Sequence, residues 1–349
     1  MIESGYEVRR ILPGNRHAAE QLDALLAKEG ISRDGNLEYT IGLYDADGRL
    51  VATGSVFKNT LRCMAVDSNH QGKGLLNRVT SLLVEYQANR EIFELFLYTK
   101  CSTAKFFGDL GFFEICRVSD QVVFMENRRN GFSDYLSKLG EPGAGPRRSA
   151  IIMNANPFTL GHRHLVERAS AESDTVHLFV VSEDASLVPA KVRYRLVKEG
   201  VGDLPNVVLH PTGPYMISSA TFPSYFIRDS RDIILAQARL DIQVFAHIAK
   251  KLMITARYVG EEPFSELTGL YNDVMRQELT AAGIDCVIIP RKEQGGEAIS
   301  ASTVRQYIQR GELERLSAMV PESTLRYFSS PEGAETVVRI RQAENVVHY

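Results

Sequence analysis

The sequence of 349 residues lacks the features that mark several protein classes. Its four cysteines are scattered and form no C-x-x-C pair: Cys63, Cys101, Cys116 and Cys286. This pattern argues against a zinc site and against a disulfide framework. No apolar run approaches the roughly 18 residues that cross a bilayer, and the first residues include Glu3 and Glu7 instead of an apolar secretory segment. We therefore expect a cytoplasmic protein without membrane spans.

An excess of charge of one sign is also missing. The 40 Lys and Arg residues and the 43 Asp and Glu residues give a formal net charge of −3. Without a basic surplus, the chain is a poor match for the phosphate backbone of nucleic acid. Apolar residues make up 44% and charged residues 24%, as in ordinary globular proteins, which excludes disorder and fibrous repeats. The composition leaves an enzyme or a regulator.

One segment predicts a domain boundary. Residues 140–149 have the sequence GEPGAGPRRS, with three glycines, two prolines and no large apolar side chain. Such a stretch forms neither a helix nor a central strand, and the length of the chain suggests two domains. We predict domains at residues 1–140 and 150–349, joined by a linker at 141–149.

The two predicted domains differ in their secondary-structure pattern. In the first, strands are predicted at 37–43, 50–57, 61–66, 92–99 and 118–126, and helices at 75–88 and 103–110, which indicates an α+β domain with a mixed sheet. In the second, strands at 150–154, 177–181, 207–210, 254–260 and 286–290 alternate with helices at 161–172, around 194–197, and at 233–249, 272–282 and 302–310. This alternation predicts an α/β, doubly wound parallel sheet, whose ligands bind beyond the carboxyl ends of the strands.

A glycine-containing loop in the first domain is a candidate phosphate site. It consists of Gln71, Gly72, Lys73 and Gly74, between a predicted strand and an amphipathic helix. Glycines let the backbone approach a ligand, and the N–H groups at a helix start attract an anion. On these grounds the loop is either a pyrophosphate cradle or an ordinary strand-to-helix connection.

Residues 5–126 resemble the GNAT acyltransferase family in this loop and in the later stretch 98–113. The family grips the pyrophosphate of acyl-CoA with the pattern Gln/Arg-x-x-Gly-x-Gly/Ala, in which Gln71 and Gly74 match. Leu76 stands where the family has Gly or Ala. The resemblance implies a GNAT-like fold, and the bulky Leu76 implies a narrower approach to the phosphates than acetyl-CoA requires.

A second candidate phosphate site follows the first strand of the second domain. Residues 151–162 have the sequence IIMNANPFTLGH, so a Pro-containing loop leads to Gly161 and His162 at a helix start. There a histidine can donate a hydrogen bond to an anion. Near the end of the chain, hydroxyls open another helix at Ser300 and Ser302, with Arg305 one turn inside. Taken alone, these residues are either a helix cap with a solvated arginine or a phosphate site.

The two segments together resemble the nucleotidyltransferase superfamily. Its motifs are (His/Thr)-x-Gly-His early in the chain and Ile-Ser-x-Ser-x-x-Arg late, about 140 residues apart here. The resemblance implies that Thr159 and His162 act on the phosphates of a nucleotide, with His162 at the α-phosphorus. It further implies an ATP site that includes Asn154, Asn156, Phe158, Gly161, Ser300, Ser302, Thr303 and Arg305.

Three intermediate segments add candidates. Lys191 and Arg193 either offset triphosphate charge or form a solvated helix face. Gly260 and Glu261 end an apolar strand where adenosine is expected. Residues 215–226 are rich in hydroxyls and aromatics, and line a small-substrate pocket or form a packed loop.

A GNAT-like domain followed by this nucleotidyltransferase domain resembles the citrate lyase ligase family. That implies an ATP- and Mg²⁺-dependent reaction in which acetate gives acetyl-adenylate and pyrophosphate. The thiol of the dephospho-CoA-derived prosthetic group on citrate lyase's acyl carrier subunit then takes the acetyl group. Gln71–Gly74 would hold this prosthetic arm. Two alternatives stay open: an adenylyltransferase that makes a dinucleotide or dephospho-CoA, and a non-enzymatic nucleotide or acyl-CoA sensor.

Overall fold

The structure, a computed structural model, describes residues 5–216, 222, 230–261 and 266–346. The chain divides into two compact units: unit 1 is Met1–Ser133 with Thr221–Gln243, and unit 2 is Asp134–Ala220 with Val244–Tyr349. These units differ in extent from the predicted segments, because residues 134–149 are counted with unit 2 and residues 221–243 with unit 1.

The segment predicted as a linker is held against unit 2. The Thr175 hydroxyl donates to the carbonyl of Ala144 at 2.9 Å, and His177 Nε2 lies 3.0 Å from the carbonyl oxygen of Pro142. Arg147 pairs with Asp174 at 2.8 Å. The glycines of the segment lie so close to unit 2 that a Cβ on Gly145 would be 2.4 Å from Asp174. The glycines of this segment therefore allow its backbone to pack closely against Asp174 and Thr175 at the start of β9.

Unit 1 is built on a mixed sheet. Its elements are β1 (Glu7–Arg10), α1 (Arg16–Lys28), β2 (Tyr39–Tyr44), β3 (Leu50–Phe57), β4 (Thr60–Val66), α2 (Leu75–Ala88), β5 (Phe96–Thr99), α3 (Ala104–Asp109), β6 (Phe113–Val118) and β7 (Val122–Glu126). Within the described residues, the strands of this sheet follow the order β1-β2-β3-β4-β5-β7-β6. Helices α1 and α2 contribute to separate apolar clusters, because successive strand side chains alternate between the two sheet faces. The predicted α+β fold class of this region is confirmed.

Two neighbouring strands of this sheet separate from each other. β4 and β5 run parallel and pair at Thr60 with Phe96 and at Leu61 with Leu97. Both strands lie wholly within the described residues, and neither continues the pairing beyond these positions. Cys63 in β4 has a positive φ of 50°, which interrupts the regular strand there. The sheet is therefore open between the later parts of β4 and β5.

The strand predicted at 118–126 is confirmed only over Val122–Glu126, which is β7. The structure has two strands there, β6 and β7, which pair antiparallel. Asp120 takes a left-handed conformation with φ 61° in the turn between them, and Asp tolerates that conformation better than most residues. The prediction missed this turn because it contains neither Gly nor Pro.

Unit 2 contains a parallel sheet. The remaining elements are α4 (Gly131–Lys138), β8 (Arg148–Met153), α5 (Leu160–Glu172), β9 (Thr175–Val180), α6 (Ala190–Gly200), β10 (Val207–Pro211), α7 (Ser230–Leu252), β11 (Ala256–Gly260), α8 (Glu266–Ala281), β12 (Asp285–Ile289), the short pair β13 (Glu293–Gln294) and β14 (Glu297–Ala298), α9 (Ala301–Arg310), α10 (Glu322–Phe328) and α11 (Ala334–Gln342). Short 3₁₀ helices lie at Ser68–His70, Leu313–Ala318 and Pro331–Gly333. By residue number, α4 and α7 contribute to both units.

The order of the parallel strands fixes where a ligand can bind. In the described part of unit 2 the order is β10-β9-β8-β11-β12, and every pair is parallel. The chain therefore moves outward from β8 in one direction through β9 and β10, and in the other through β11 and β12. Such a reversal is the point at which doubly wound sheets bind ligands. The predicted fold class is confirmed, and the loop after β8 lies at this point.

Hydrophobic burial explains these strands. Every residue of β9 is buried, as expected for a strand covered on both faces.

Among the helices of the described residues, none combines the length and the apolar composition that crossing a membrane requires.

Candidate active site

The loop between β8 and α5 is the centre of the candidate site. It extends from Asn154 to Thr159, and all of it except Asn154 is buried. Ala155 has a positive φ of 51° although it is not glycine. L-residues rarely adopt this conformation, which persists only where neighbours hold it. The chain therefore leaves the sheet along a defined path.

His162 is fixed by the start of helix α5. The Thr159 hydroxyl oxygen accepts from the backbone N–H of His162 at 3.2 Å, and the Thr159 N–H donates to His162 Nδ1 at 3.1 Å. This reciprocal arrangement is a capping box, which satisfies two backbone groups at a helix start. The Phe158 ring stacks at 19° on the imidazole, with 5.9 Å between centroids. Thr159 is 1% exposed, so its side chain positions His162 and does not itself face a ligand.

These contacts determine the protonation of His162. Since Nδ1 accepts a hydrogen bond, the neutral ring carries its proton on Nε2. Burial, and secondarily the charge of Arg305, lower the pKa of His162 to about 4. Within the described part of the chain, Nε2 has no partner. His162 is therefore a neutral hydrogen-bond donor at neutral pH.

The start of helix α9 lies against the start of α5. A Cβ on Gly161 would be 2.6 Å from the carbonyl oxygen of Ile299, so only glycine allows this approach. Ser300 caps α9 by accepting from the Thr303 N–H at 3.0 Å, and its hydroxyl is 2.8 Å from that of Ser302 and 2.9 Å from that of Thr303. The two predicted motifs therefore come together. Two helix starts with their partial positive charges meet at one place, which suits an anionic ligand.

Arg305 lies beneath this meeting point. It is 3% exposed, and its guanidinium donates to the carbonyls of Asn156 and of Val346, the latter at 2.6 Å. The interpretation of Arg305 as a solvated helix charge is wrong, because the residue points into the protein. Its charge still reaches His162, as the lowered pKa indicates.

Asn156 carries a donor without an acceptor. Its side-chain oxygen accepts from the Val188 N–H at 3.0 Å, and the residue is 2% exposed. Its Nδ2 is buried and has no hydrogen-bond partner among the described residues. Asn154 is half-buried, and its side chain exchanges hydrogen bonds with Ser186.

The remaining candidates in unit 2 occupy different environments. Lys191 is exposed, whereas Arg193 is fully buried, so the interpretation of both as a solvated helix face is wrong for Arg193. Phe158 is also fully buried in the apolar core, where it supports His162 from behind. Gly260 and Glu261 are exposed at the carboxyl end of β11, and Arg291 donates to the Glu261 carbonyl at 2.8 Å. Most of the predicted pocket segment 215–226 lies outside the described residues, as does the stretch 262–265.

The glycine loop of unit 1 borders a cavity of about 430 Å³. Gln71, Gly72 and Gly74 line it, while Lys73 is exposed and does not. The cavity extends between the separated strands β4 and β5 and along α3, and its apolar lining includes Leu61, Met64, Ala65, Val66, Leu97 and Phe107. The sequence did not single out the β4 residues, because strand separation leaves no local signal.

The start of helix α2 at this cavity carries no side-chain cap. Gly74 occupies the cap position with φ 72°, and Gly72 has φ 76°. The first N–H groups of a helix have no partner inside it, so they remain available to an anion here. Leu76 lines the cavity and packs against the core of unit 1. The cavity suits a long, mainly apolar group that ends in an anion.

A metal cluster is not found in the described ranges. No group of three or more His, Cys, Asp or Glu side chains there is arranged to hold a metal ion.

Some solved structures align with about a third of the chain. A crystal structure of nourseothricin acetyltransferase is 19% identical, covers 35% of this chain and 98% of its own, with a TM-score of 0.29. A crystal structure of aminoglycoside 6'-N-acetyltransferase complexed with coenzyme A is 14% identical, covers 34% and 95%, with a TM-score of 0.31. The fold of unit 1 rests on the strand order described above.

Comparison with curated proteins covers nearly the whole chain. The citrate (pro-3S)-lyase ligase of Klebsiella pneumoniae is 39% identical over 319 residues, which are 88% of this chain and 92% of that protein. The protein of the same name from Escherichia coli K12 is 35% identical over 325 residues, 90% and 91% of the two chains. A sequence profile described as the citrate lyase ligase C-terminal domain matches residues 148–328. The chain belongs to the citrate lyase ligase family.

Proposed function

We propose that this enzyme uses ATP to acetylate the thiol of the dephospho-CoA-derived prosthetic group on the acyl carrier subunit of citrate lyase. The main structural support is His162, a neutral donor with a free Nε2 at the place where two helix starts meet. Membership of the citrate lyase ligase family supports the same reaction. ATP, acetate and this carrier are the proposed partners, and the cytoplasm is the proposed location.

In the first step, an acetate oxygen attacks the α-phosphorus of ATP and pyrophosphate leaves, which gives acetyl-adenylate. Acetate is already ionised at neutral pH, so this step needs no base. It needs stabilisation of the charge that develops on the phosphoryl oxygens and alignment of the reacting atoms. His162 Nε2–H donates to the α-phosphate, and the start of α5 at Gly161 adds partial positive charge.

The rest of the ATP site is assembled around this donor. The hydroxyls of Ser300, Ser302 and Thr303 and the start of α9 bind the β- and γ-phosphates, while Arg305 supplies positive charge from beneath. Gly260 and Glu261 border the adenosine, and Lys191 approaches the triphosphate from the solvent side. Mg²⁺ arrives with ATP as part of the substrate, held mainly by phosphate oxygens and water, as is usual for this ion.

In the second step, the carrier thiol loses its proton to solvent and attacks the acetyl carbon of acetyl-adenylate as the thiolate; the bond from the acetyl carbon to the AMP oxygen breaks as the thioester forms. We propose that the cavity of unit 1 holds the prosthetic arm, with Gln71, Gly72 and Gly74 at its pyrophosphate and the apolar lining along the extended part. Lys73, an exposed residue of this loop, adds positive charge. Unit 1 thus binds the arm, and unit 2 carries out the phosphate chemistry.

The direct test is a product analysis with the full chain, ATP, Mg²⁺ and acetate. We expect acetate-dependent exchange of labelled pyrophosphate into ATP, and acetohydroxamate when hydroxylamine traps the adenylate. Addition of the carrier with its prosthetic group should give acetylated carrier and AMP. Propionate and malonate in place of acetate serve as controls for the acyl substrate.

Two results would contradict the proposal. A dinucleotide or dephospho-CoA product formed from a phosphorylated acceptor would favour an adenylyltransferase. Binding of ATP without any pyrophosphate exchange would favour a nucleotide sensor.

A further inference from the structure

The guanidinium of Arg193 joins the segments that follow two neighbouring strands, β8 and β9. It donates from Nε to the Val188 carbonyl at 3.1 Å and from Nη1 to the Val181 carbonyl at 2.8 Å. Nη1 also lies 2.7 Å from both the carbonyl and the side-chain oxygen of Asn154, and Nη2 donates to the Glu183 carbonyl. Arg193 therefore connects the end of β8 to the segment that follows β9. Arginine suits this task because its five N–H donors have a fixed geometry.

A second buried arginine holds the same loop two residues later. Arg305 of α9 donates from Nη1 to the carbonyl of Asn156. The side chain of Asn156 also accepts from the N–H of Val188, whose carbonyl is bound by Arg193. The loop is thus held at Asn154 from α6 and at Asn156 from α9.

The residue between these two points is Ala155, with its positive φ of 51°. It is 1% exposed and belongs to the apolar core of unit 2. An alanine in this conformation is strained and is retained only when the surroundings enforce it. The carbonyls on both sides of Ala155 are the acceptors of the two arginines, so these side chains are placed to enforce it.

We propose that Arg193 is a positioning residue which, with Arg305 opposite, keeps the 154–156 loop in the conformation that aims His162 at the phosphates. This inference rests on the proposed function for its kinetic consequences. Arg193 then acts through the loop and does not bind the triphosphate. Loss of its contacts should lower the rate of adenylation more than the affinity for ATP.

The test uses Arg193→Lys in the full chain, with acetate-dependent pyrophosphate exchange as the assay. Lysine keeps the charge but has three donors and no fixed fork, so it cannot serve all these oxygens. We expect kcat to fall about 10–100-fold, the range set by misplacement of catalytic groups, while the KM for ATP stays within about threefold. Lys198→Met is the matched control, since Lys198 is exposed on the same helix and has no proposed contact with ATP; it should leave both kcat and the KM for ATP nearly unchanged.

A rescue variant tests whether Arg193 acts through the loop. Glycine adopts positive φ without strain. In Ala155→Gly the loop therefore depends less on the hydrogen bonds from Arg193 to keep its conformation. We expect the double variant Arg193→Lys/Ala155→Gly to have a kcat at least about fivefold higher than that of Arg193→Lys alone. The reason is that glycine at position 155 removes the backbone strain that the hydrogen bonds of Arg193 otherwise offset.

A substrate-free measurement separates this inference from the proposed function. Hydrogen exchange of a peptide that covers residues 152–165 should be at least tenfold faster in Arg193→Lys than in wild type, whatever reaction the enzyme catalyses. If Arg193→Lys does not fold, Arg193→Gln replaces it with the same expected results, since glutamine keeps two N–H donors and leaves no buried charge. An increased KM with unchanged kcat, unchanged exchange, or no rescue by Ala155→Gly in a folded double variant would overturn the inference.

Discussion

The two candidate phosphate loops of this chain each lead from a strand to a helix, and they differ in how the helix start is satisfied. In unit 2, Thr159 and His162 cap helix α5 reciprocally, and the site presents a side-chain donor, His162 Nε2. In unit 1, Gly74 opens helix α2 in a left-handed conformation without a side-chain cap, and the loop borders a cavity of about 430 Å³. A capped start fixes the position of one side-chain donor, whereas an uncapped start leaves backbone N–H groups for a ligand.

This difference is consistent with the proposed roles, in which unit 2 carries out the phosphate chemistry and unit 1 binds the prosthetic arm. Chemistry on a phosphorus atom requires a donor whose position and protonation are fixed, which the capping box provides for His162. Holding a long arm requires space and a general attraction for its phosphates, which the open sheet and α2 provide. Variants in the two loops should therefore affect different steps of the reaction.

The largest expected effect follows from His162→Ala. Removal of one preorganised donor to developing charge typically lowers a rate about 10²–10³-fold, and we expect this loss in acetate-dependent pyrophosphate exchange. His164→Ala, two residues further along the same helix, is the matched control. Transfer from supplied acetyl-adenylate to the carrier should be largely preserved in His162→Ala. Exchange near the wild-type rate in this variant would refute the role of His162.

An intermediate effect is expected from Gly74→Glu in unit 1. A carboxylate at the start of α2 repels the pyrophosphate of the arm, and the positive φ of residue 74 adds strain for any side chain except Asn or Asp. The rate of carrier acetylation should fall about 10–100-fold, because charge-assisted hydrogen bonds worth about 1.5–3 kcal/mol are lost. Pyrophosphate exchange should stay unchanged. Gly74→Asn controls for the strain without the charge. Normal carrier acetylation by Gly74→Glu would mean that the arm binds elsewhere.

The smallest expected effect is a difference in acid stability. Within the described residues, the histidines with a lowered pKa all lie in unit 2: His162, His177 and His210. His177 Nδ1 lies 2.9 Å from His210 Nε2, and burial first, then the neighbouring His177, lowers the pKa of His210 to about 4. In the unfolded chain these histidines have a pKa near 6.5 and bind protons at a higher pH than they do in the folded unit. The free energy of unfolding therefore falls as the pH decreases from about 6.5 towards 4.

Between pH 7.5 and pH 5.5 this amounts to about 1 kcal/mol from His210, or about 2–4 °C in the Tm. Hydrogen exchange at the two pH values, corrected for intrinsic rates, should show unit 2 losing protection first. His210→Gln, which keeps a donor for His177 without titrating, should reduce the difference. Equal loss of protection in both units would indicate that the histidine pair does not determine acid stability.

Patterns along the chain were enough to predict most of the strands and helices. The alternation of apolar strands with helices after residue 150 predicted the parallel sheet, and the motifs around His162 and Ser300 predicted two helix starts. They failed at the turn around Asp120, where no Gly or Pro marks the reversal. The roles of the candidate site residues stay predictions until the variants are measured.

The sequence by itself determined where three helices begin, at Gly74, near Gly161 and at Ser300. Glycine and a capping serine act locally on the backbone, so their effect can be recognised without the rest of the fold. Only the tertiary structure decided that Gly161 meets Ile299, since that contact joins residues 138 positions apart. The structure also decided that Arg193 and Arg305 point inward at carbonyl groups. A charged residue on a helix has the same local preference whether it faces solvent, a phosphate or a buried loop. Which of these it meets depends on how the helix packs, and packing involves residues distant in sequence.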